Sequence, residues 1–149
     1  MSKGTSPDLA KNIIVSNRLP IQLTKLDNSF EFTSTSGGLA TGMNSVHKGQ
    51  ESLWIGWPGI NDDDIDKKIW APLKKSLKKD GYSPVSLNSK EIEDFYYGLS
   101  NKSLWPLFHY FIEFSVFNEK QWNSYIKVNQ KFADSVICLL YTSPSPRDS

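Results

Sequence analysis

The positions of apolar residues along the chain predict strands that alternate with helices. A continuous apolar run predicts a strand at 12–16, of the kind covered on both faces of a sheet, and further strands are expected at 53–57 and 82–87. This order favours an α/β fold with a mostly parallel sheet, in which ligands bind beyond the carboxyl ends of the strands. Apolar residues at helical spacing predict helices at 39–48, about 65–80, 90–99 and about 119–138.

Polar residues mark the points where several predicted elements begin or turn. Asp62–Asp64 is expected at the N-terminus of the second helix, where carboxylates meet the positive end of the helix dipole. Ser89 is expected to cap the third helix. Residues 20–34 alternate between apolar and polar around Asp27-Asn28, which predicts a β-hairpin or a long excursion at the sheet edge.

Composition and charge narrow the class of protein. The chain has 149 residues, is 38% hydrophobic and 22% charged, and carries a formal net charge of +1. These values fit one soluble domain and give no reason to expect a nucleic acid or a membrane surface as partner. The one cysteine, Cys138, excludes an intrachain disulfide, and the polar start MSKGTSPDLAKN lacks the apolar stretch of a secretory signal. Together these features predict a cytoplasmic protein.

The two ends of the chain differ in character from the rest. Residues 1–11 are expected to form a flexible tail. Residues 138–149, CLLYTSPSPRDS, are rich in serine and proline. We interpret them as foreign to the gene product, such as vector or adaptor read-through, with a disordered terminus as the alternative. The predicted folded domain is therefore 12–137.

Candidate ligand-binding residues follow the first strand and precede the first helix. In VSNRLP, Arg18 comes at the carboxyl end of the strand and offers a planar fork of donors to a phosphate or a carboxylate. A surface arginine paired with an acid is the alternative. In TSGGLATG, Gly37 and Gly38 lie directly before a helix, which leaves backbone N–H groups available to a diphosphate. A plain tight turn is the more common explanation of such a pair.

Aromatic residues make up 13% of the chain and offer flat faces on which a sugar ring packs. Core packing is the alternative, and composition alone favours it. Trp54 and Trp57 are expected on opposite faces of a strand because side chains alternate. His47 and His109 lie far apart in sequence, and neither a metal-ligand spacing nor a nucleophile motif is present, so no catalytic residue and no metal ligand is assigned. The aromatic candidates are Trp54, Trp57, Tyr96, Tyr97, Trp105, Phe108, His109 and Tyr110.

Five motifs occur together in an order that resembles one known family. The chain contains VSNRLP, SGGLATG, LWIGWPG, FYYGLSNKSLWPLFHY and WNSYIKVNQKFAD within residues 12–137. This order resembles the N-terminal part of the trehalose-6-phosphate synthases, glycosyltransferase family 20. The resemblance implies a GT-B fold, of which this chain would be the Rossmann-like, acceptor-binding N-terminal half-domain without the donor domain. It also implies retaining transfer of glucose from UDP-glucose to glucose 6-phosphate, with no metal and no other cofactor.

The resemblance further implies roles for single residues. Arg18 would contact the phosphate of glucose 6-phosphate. Gly38, with Gly37 beside it, would lie by the phosphates of UDP-glucose and offer its N–H to the leaving diphosphate. The residues that would line the glucose 6-phosphate pocket are Trp57, Tyr97 and Trp105.

The same resemblance sets the expectations for activity and partners. Because the donor domain would be absent, the chain alone is expected to show no transferase activity. A non-catalytic sugar-phosphate-binding or regulatory module is the alternative, since some synthase-like proteins have lost activity. The implied partners are UDP-glucose and glucose 6-phosphate. A homo-oligomer of the full-length enzyme and a fusion to a trehalose-phosphate phosphatase both stay open.

Overall fold

The computed structural model describes residues 12–27, 29–35, 37–49, 52–110, 113 and 116–142. Within these residues, three parallel strands form one sheet and two antiparallel strands form a hairpin, which confirms the predicted α/β fold and the predicted hairpin. In chain order the strands are β1 (Asn12–Arg18), β2 (Ile21–Lys25), β3 (Phe30–Ser34), β4 (Ser52–Trp57) and β5 (Tyr82–Pro84). β4 lies between β1 and β5, and β2 pairs with β3.

Helices follow the strands at the predicted places. The third predicted helix is longer than expected and has an unusual centre, because a three-residue α-helix passes directly into a 13-residue π-helix. In chain order the helices are α1 (Gly38–Gly49), α2 (Lys67–Lys79), α3 (Ser89–Glu91), the π-helix Ile92–Leu104, α4 (Trp105–Phe108) and α5 (Glu119–Thr142).

The starts of α2 and α3 both differ from the predicted ones. Asp62–Asp64 forms a 3₁₀ turn of its own, and Asp66 caps α2 by accepting a hydrogen bond from the Lys68 N–H at 2.9 Å. Asn88, one residue before Ser89, caps α3. Its side-chain oxygen accepts from the Glu91 N–H at 2.9 Å, and its own N–H donates to the Glu91 carboxylate at 3.0 Å. This reciprocal pair satisfies two N–H groups that would otherwise lack partners at a helix start.

Two hydrophobic clusters cover the two faces of the sheet and share β4. Trp54 belongs to one cluster and Trp57 to the other, which confirms that they face opposite sides. The cluster against α5 and the π-helix contains Ile55, Trp57, Val85, Leu87, Ile92, Phe95, Val128 and Phe132. The cluster against α2 and the hairpin contains Leu19, Ile21, Trp54, Ile65, Leu73, Leu77 and Tyr82.

β1 is less buried than its apolar run predicted. It lies at an edge of the described sheet, with β4 as its neighbour, and the Val15 side chain is 49% exposed. β1 is therefore covered only in part: Ile13 packs against one hydrophobic cluster and Ile14 against the other, and both are half-buried. The strand that is buried along most of its length is β4, because it has a neighbour on each side and a hydrophobic cluster on each face.

α5 continues through Thr142, beyond the predicted end near 138. The expected flexible tail at 1–11 and residues 143–149 of the predicted foreign tail lie outside the described residues. Although α5 has 24 residues, neither it nor another helix in the described part of the chain is apolar enough over a sufficient length to cross a membrane.

Candidate functional site

β1 ends in a bulge that decides where Arg18 points. Val15 is paired with Ile55, but the next paired residues are Arg18 and Trp57. Two residues of β1, Ser16 and Asn17, therefore lie opposite a single residue of β4. A bulge of this kind adds one residue to a strand and can re-aim the side chain that follows. Here it pairs Arg18, and not Asn17, with Trp57.

Hydrogen bonds from side chain and backbone hold the bulge. The Ser16 hydroxyl donates to the Arg18 carbonyl at 2.7 Å and accepts from the Trp54 indole N–H at 2.8 Å. Just beyond the bulge, the Leu19 N–H donates to the Trp57 carbonyl at 2.8 Å. Since Trp54 is buried, Ser16 also satisfies a polar group that has lost access to water.

Gly56 on β4 leaves the space that the bulge occupies. A Cβ atom on Gly56 would lie 2.9 Å from the Leu19 nitrogen, 3.0 Å from the Ser16 carbonyl oxygen and 3.1 Å from the Arg18 carbonyl carbon. All three are backbone atoms of the bulged segment. The close approach of β1 and β4 at this point therefore requires a residue without a side chain.

The Arg18 guanidinium lies between an indole ring and a glycine turn. Its Cζ is 5.6 Å from the centre of the Trp57 ring, within the range of a cation–π contact. A Cβ atom on Gly59 would lie 3.0 Å from Arg18 Nη2, and Gly59 has a φ of +87°. Arg18 is exposed and forms no ion pair with an acid among the described residues. Its guanidinium donors thus remain available to a ligand.

Aromatic rings continue from Arg18 towards the surface. The Trp57 ring is 5% exposed, its indole N–H donates to the Ile60 carbonyl at 3.0 Å, and its centre lies 6.1 Å from that of Tyr96. Tyr96 in turn meets Tyr97 edge to face at 5.2 Å, and the Tyr97 side chain is 53% exposed. The structure therefore links Arg18, Trp57 and Tyr97 through Tyr96.

Trp105 lies at the far end of the same helical segment and joins a different pair. Its ring stacks on His109 with a centre-to-centre distance of 3.9 Å, and the side chain is 56% exposed. No ring contact within the described residues connects Trp105 with Trp57 or Tyr97. Tyr97 lies within the π-helix and Trp105 directly follows its end, and both side chains are exposed.

Gly37 and Gly38 are exposed at the start of α1. The Gly37 carbonyl accepts from the Thr41 N–H at 2.8 Å, so the helix begins at this pair. The Thr35 N–H donates to the Pro20 carbonyl at 2.9 Å, which ties the turn to the segment that follows Arg18. A Cβ on either glycine would meet no atom within 4 Å. The described structure therefore leaves the backbone open to a ligand at this point.

The two histidines have structural partners. His47 is buried, with Nδ1 at 3.0 Å from the Ser52 hydroxyl and Nε2 at 3.1 Å from the Asp80 carbonyl. His109 Nδ1 lies 2.7 Å from the Trp105 carbonyl. Among the described residues, no group of three or more His, Cys, Asp or Glu side chains is placed to hold a metal ion.

Sequence reasoning missed the residues that aim Arg18. Ser16 and Gly56 carried no recognisable signal, because a bulge depends on strand register and not on apolar spacing. Gly59 did carry a signal, since Pro58-Gly59 reads as a turn. Its contact with Arg18 became visible only once β1 and β4 were paired.

Comparison with known proteins gives a consistent result. The sequence model of "Glycosyltransferase family 20" matches residues 10–142. A bifunctional trehalose-6-phosphate synthase/phosphatase from Thermoproteus tenax is 40% identical over 136 residues, which cover 85% of this chain and 18% of the relative. An alpha,alpha-trehalose-phosphate synthase [UDP-forming] from Botryotinia fuckeliana is 41% identical over 136 residues, which cover 89% of this chain and 25% of the relative. The chain thus spans a quarter or less of the length of these relatives.

Solved structures show the same architecture. The Escherichia coli protein bound with UDP-2-fluoro glucose matches with a TM-score of 0.60 at 26% identity, over 86% of this chain and 25% of its own. A synthase from Burkholderia xenovorans in complex with glucose-6-phosphate shares the fold, with a TM-score of 0.59 at 24% identity over 86% of this chain and 25% of its own. The described sheet and helices match the N-terminal portion of these GT-B proteins. From its sequence match and its architecture, the chain belongs to glycosyltransferase family 20, the trehalose-6-phosphate synthase family.

Proposed function

We propose that this chain holds glucose 6-phosphate as the acceptor in a retaining transfer of glucose from UDP-glucose, which yields trehalose 6-phosphate. One observation carries the proposal. An exposed arginine without an acidic partner among the described residues lies at the carboxyl end of β1, with its guanidinium over Trp57. Ligands of α/β sheets bind at this edge.

The chemistry of a sugar phosphate matches the residues at this edge. A phosphate dianion is bound best by charged donors in a fixed geometry, and a guanidinium supplies two parallel N–H groups. The Trp57 ring lies against the Arg18 guanidinium and contacts Tyr96. Tyr96 in turn contacts the exposed ring of Tyr97. Trp105 offers a further exposed face for the sugar ring. The relatives' complexes with glucose-6-phosphate and with a UDP-glucose analogue support this choice of substrates.

Gly37 and Gly38 suit the donor side of the reaction. As glucose leaves UDP, negative charge develops on the diphosphate, and preorganised N–H groups at a helix start stabilise it. In this proposal the departing phosphate also helps to remove the acceptor proton on the same face of the sugar, so that positioning and electrostatics supply most of the rate enhancement. The open space around both glycines lets the diphosphate approach the backbone.

Titration calorimetry with glucose 6-phosphate tests the acceptor assignment. Arg18→Ala should weaken binding about 10- to 150-fold, since hydrogen bonds to charged groups contribute about 1.5–3 kcal/mol. Arg18→Lys should recover part of the loss because it keeps the charge but not the planar fork. Lys75→Ala, which removes one exposed cation from α2, is the matched control for net charge and should bind as the wild type does.

Equal affinity in the wild type and Arg18→Ala would refute the acceptor assignment. Binding alone is common to a synthase and to a non-catalytic sugar-phosphate module. Release of UDP that depends on glucose 6-phosphate separates these two functions when it is measured with this chain joined to a donor domain, because the chain alone is expected to be inactive in either case.

A further inference from the structure

We propose that Ser16 and Gly59 are positioning residues for Arg18, which act on the guanidinium from opposite ends of the arginine. Ser16 fixes the backbone from which the side chain departs. Gly59 leaves the space in which the guanidinium lies. The consequence for phosphate binding rests on the function proposed above, whereas the positioning itself is a property of this chain without a ligand.

Ser16 determines which residue of β1 pairs with Trp57. Its hydroxyl donates to the Arg18 carbonyl and accepts from the Trp54 indole, so it connects the bulge to a buried ring on β4. In a regular ladder that continued from the Val15–Ile55 pair, Asn17 would lie opposite Trp57. Successive side chains of a strand point to opposite faces, so a shift of one residue would turn Arg18 away from the indole.

Gly59 acts at the other end of the side chain. The distances from a Cβ on Gly59 would be 3.0 Å to Nη2, 3.4 Å to Cζ and 3.4 Å to Nε of Arg18. This Cβ would therefore meet three atoms of one guanidinium group. The neighbouring hydrogen bond from the Trp57 indole to the Ile60 carbonyl holds the ring and the turn together. The guanidinium thus lies in a slot with an indole on one side and a bare backbone on the other.

The arginine content of the chain makes this positioning directly measurable. The sequence contains two arginines, Arg18 and Arg147, so the Arg18 Nε–Hε signal in an NMR spectrum is identified by its loss in Arg18→Lys. Nuclear Overhauser contacts from this side chain to the Trp57 indole report the position of the guanidinium. They require no substrate, and a general loss of stability does not remove them from a protein that remains folded.

The decisive set of variants is Ser16→Ala, Gly59→Ala and two controls. We expect the Arg18–Trp57 contacts to disappear in Ser16→Ala and to weaken in Gly59→Ala, where the guanidinium must shift by a few tenths of an ångström to make room for the methyl group. They should persist in Ser16→Thr, which keeps the hydroxyl, and in Gly42→Ala, whose added Cβ meets no atom within 4 Å. Contacts that persist unweakened in both Ser16→Ala and Gly59→Ala would overturn the proposal, and unweakened persistence in one of them removes that residue from it.

Calorimetry then connects the positioning with phosphate binding. With Arg18 present, Ser16→Ala and Gly59→Ala should each weaken binding of glucose 6-phosphate about 5- to 30-fold. In an Arg18→Ala background the same changes should have less than about a two-fold effect, because their action passes through Arg18. Equal losses in both backgrounds would overturn the positioning role. If Arg18→Ala itself binds as the wild type does, the proposed function fails, and the NMR contacts still decide the positioning.

Discussion

Replacing Gly56 with alanine should destabilise the fold, whereas the same replacement at Gly42 should not. At Gly56 the new methyl group would meet three backbone atoms at 2.9–3.1 Å, and none of them can rotate away. Either the end of β1 or the end of β4 must move. At Gly42, in α1, the new methyl group meets no atom within 4 Å. The two variants therefore differ in surroundings and not in chemistry.

The size of the effect follows from these surroundings. Overpacking of a close contact costs about 1–3 kcal/mol. In Gly56→Ala this cost comes with strain on the hydrogen bond from the Leu19 N–H to the Trp57 carbonyl, which closes the bulge. Replacing an unhindered glycine inside a helix with alanine stabilises by about 0.5–1 kcal/mol, because the unfolded chain loses freedom. The free energies of unfolding of the two variants should thus lie about 1.5–4 kcal/mol apart.

Urea unfolding, followed by tryptophan fluorescence and by far-ultraviolet circular dichroism, measures this difference. With a denaturant slope of about 2 kcal/mol/M, the midpoints of the two variants should differ by roughly 1–2 M, with the wild type between them. A Gly56→Ala midpoint equal to that of the wild type would show that β1 and β4 separate at little cost, and the account of the bulge would then be wrong. Coincident curves from the two probes are needed for the conversion to free energy.

Two further predictions concern other parts of the fold. Asn88→Ala should lower the free energy of unfolding by about 0.5–2 kcal/mol in urea, because the Glu91 N–H loses its cap, while Asn88→Asp should keep most of it; equal stability of the alanine variant would exclude a capping role. Burial, with a smaller contribution from the Asp80 carboxylate, raises the pKa of Tyr82 above its usual value near 10. The unfolded chain therefore loses the phenol proton first, so the contribution of Tyr82 to stability is constant below about pH 10 and is lost as the pH rises through the pKa of the folded state. The free energy of unfolding of Tyr82→Phe should fall less steeply than that of the wild type between pH 9 and about 12 in the same assay. Parallel curves for the two proteins would contradict the raised pKa of Tyr82.

The sequence allowed a correct prediction of the order of the elements and of the edge where Arg18 lies. Apolar spacing reports which residues are buried, so the order of strands and helices followed from it. The alternation of side chains also placed Trp54 and Trp57 on opposite faces, as the structure confirms. That Arg18 ends a strand followed from its position after Ile13–Val15.

Other features depend on contacts between residues distant in sequence and could not be predicted. The hydrogen bond between Ser16 and Trp54 spans 38 residues, and without it the bulge has no visible cause. The exposed position of Val15 follows from which strands are neighbours, a property that an apolar run does not encode. The cap of α3 was misplaced by one residue because Asn88 and Ser89 are both good caps, and only the reciprocal bond with Glu91 distinguishes them.

The hydrogen bond that closes the hairpin has a consequence for how this chain can vary. The Thr35 N–H and the Pro20 carbonyl lie 2.9 Å apart, so the excursion between them starts and finishes at one place. The separation between Arg18 and Gly37 is then set by this closure and not by the number of residues in between. Lengthening a loop costs little entropy. Insertions or deletions at the tip of the hairpin, between Lys25 and Phe30, should therefore leave the distance between Arg18 and Gly37 unchanged. Changes near the base should not be tolerated in this way, because Ile21 is buried in the core.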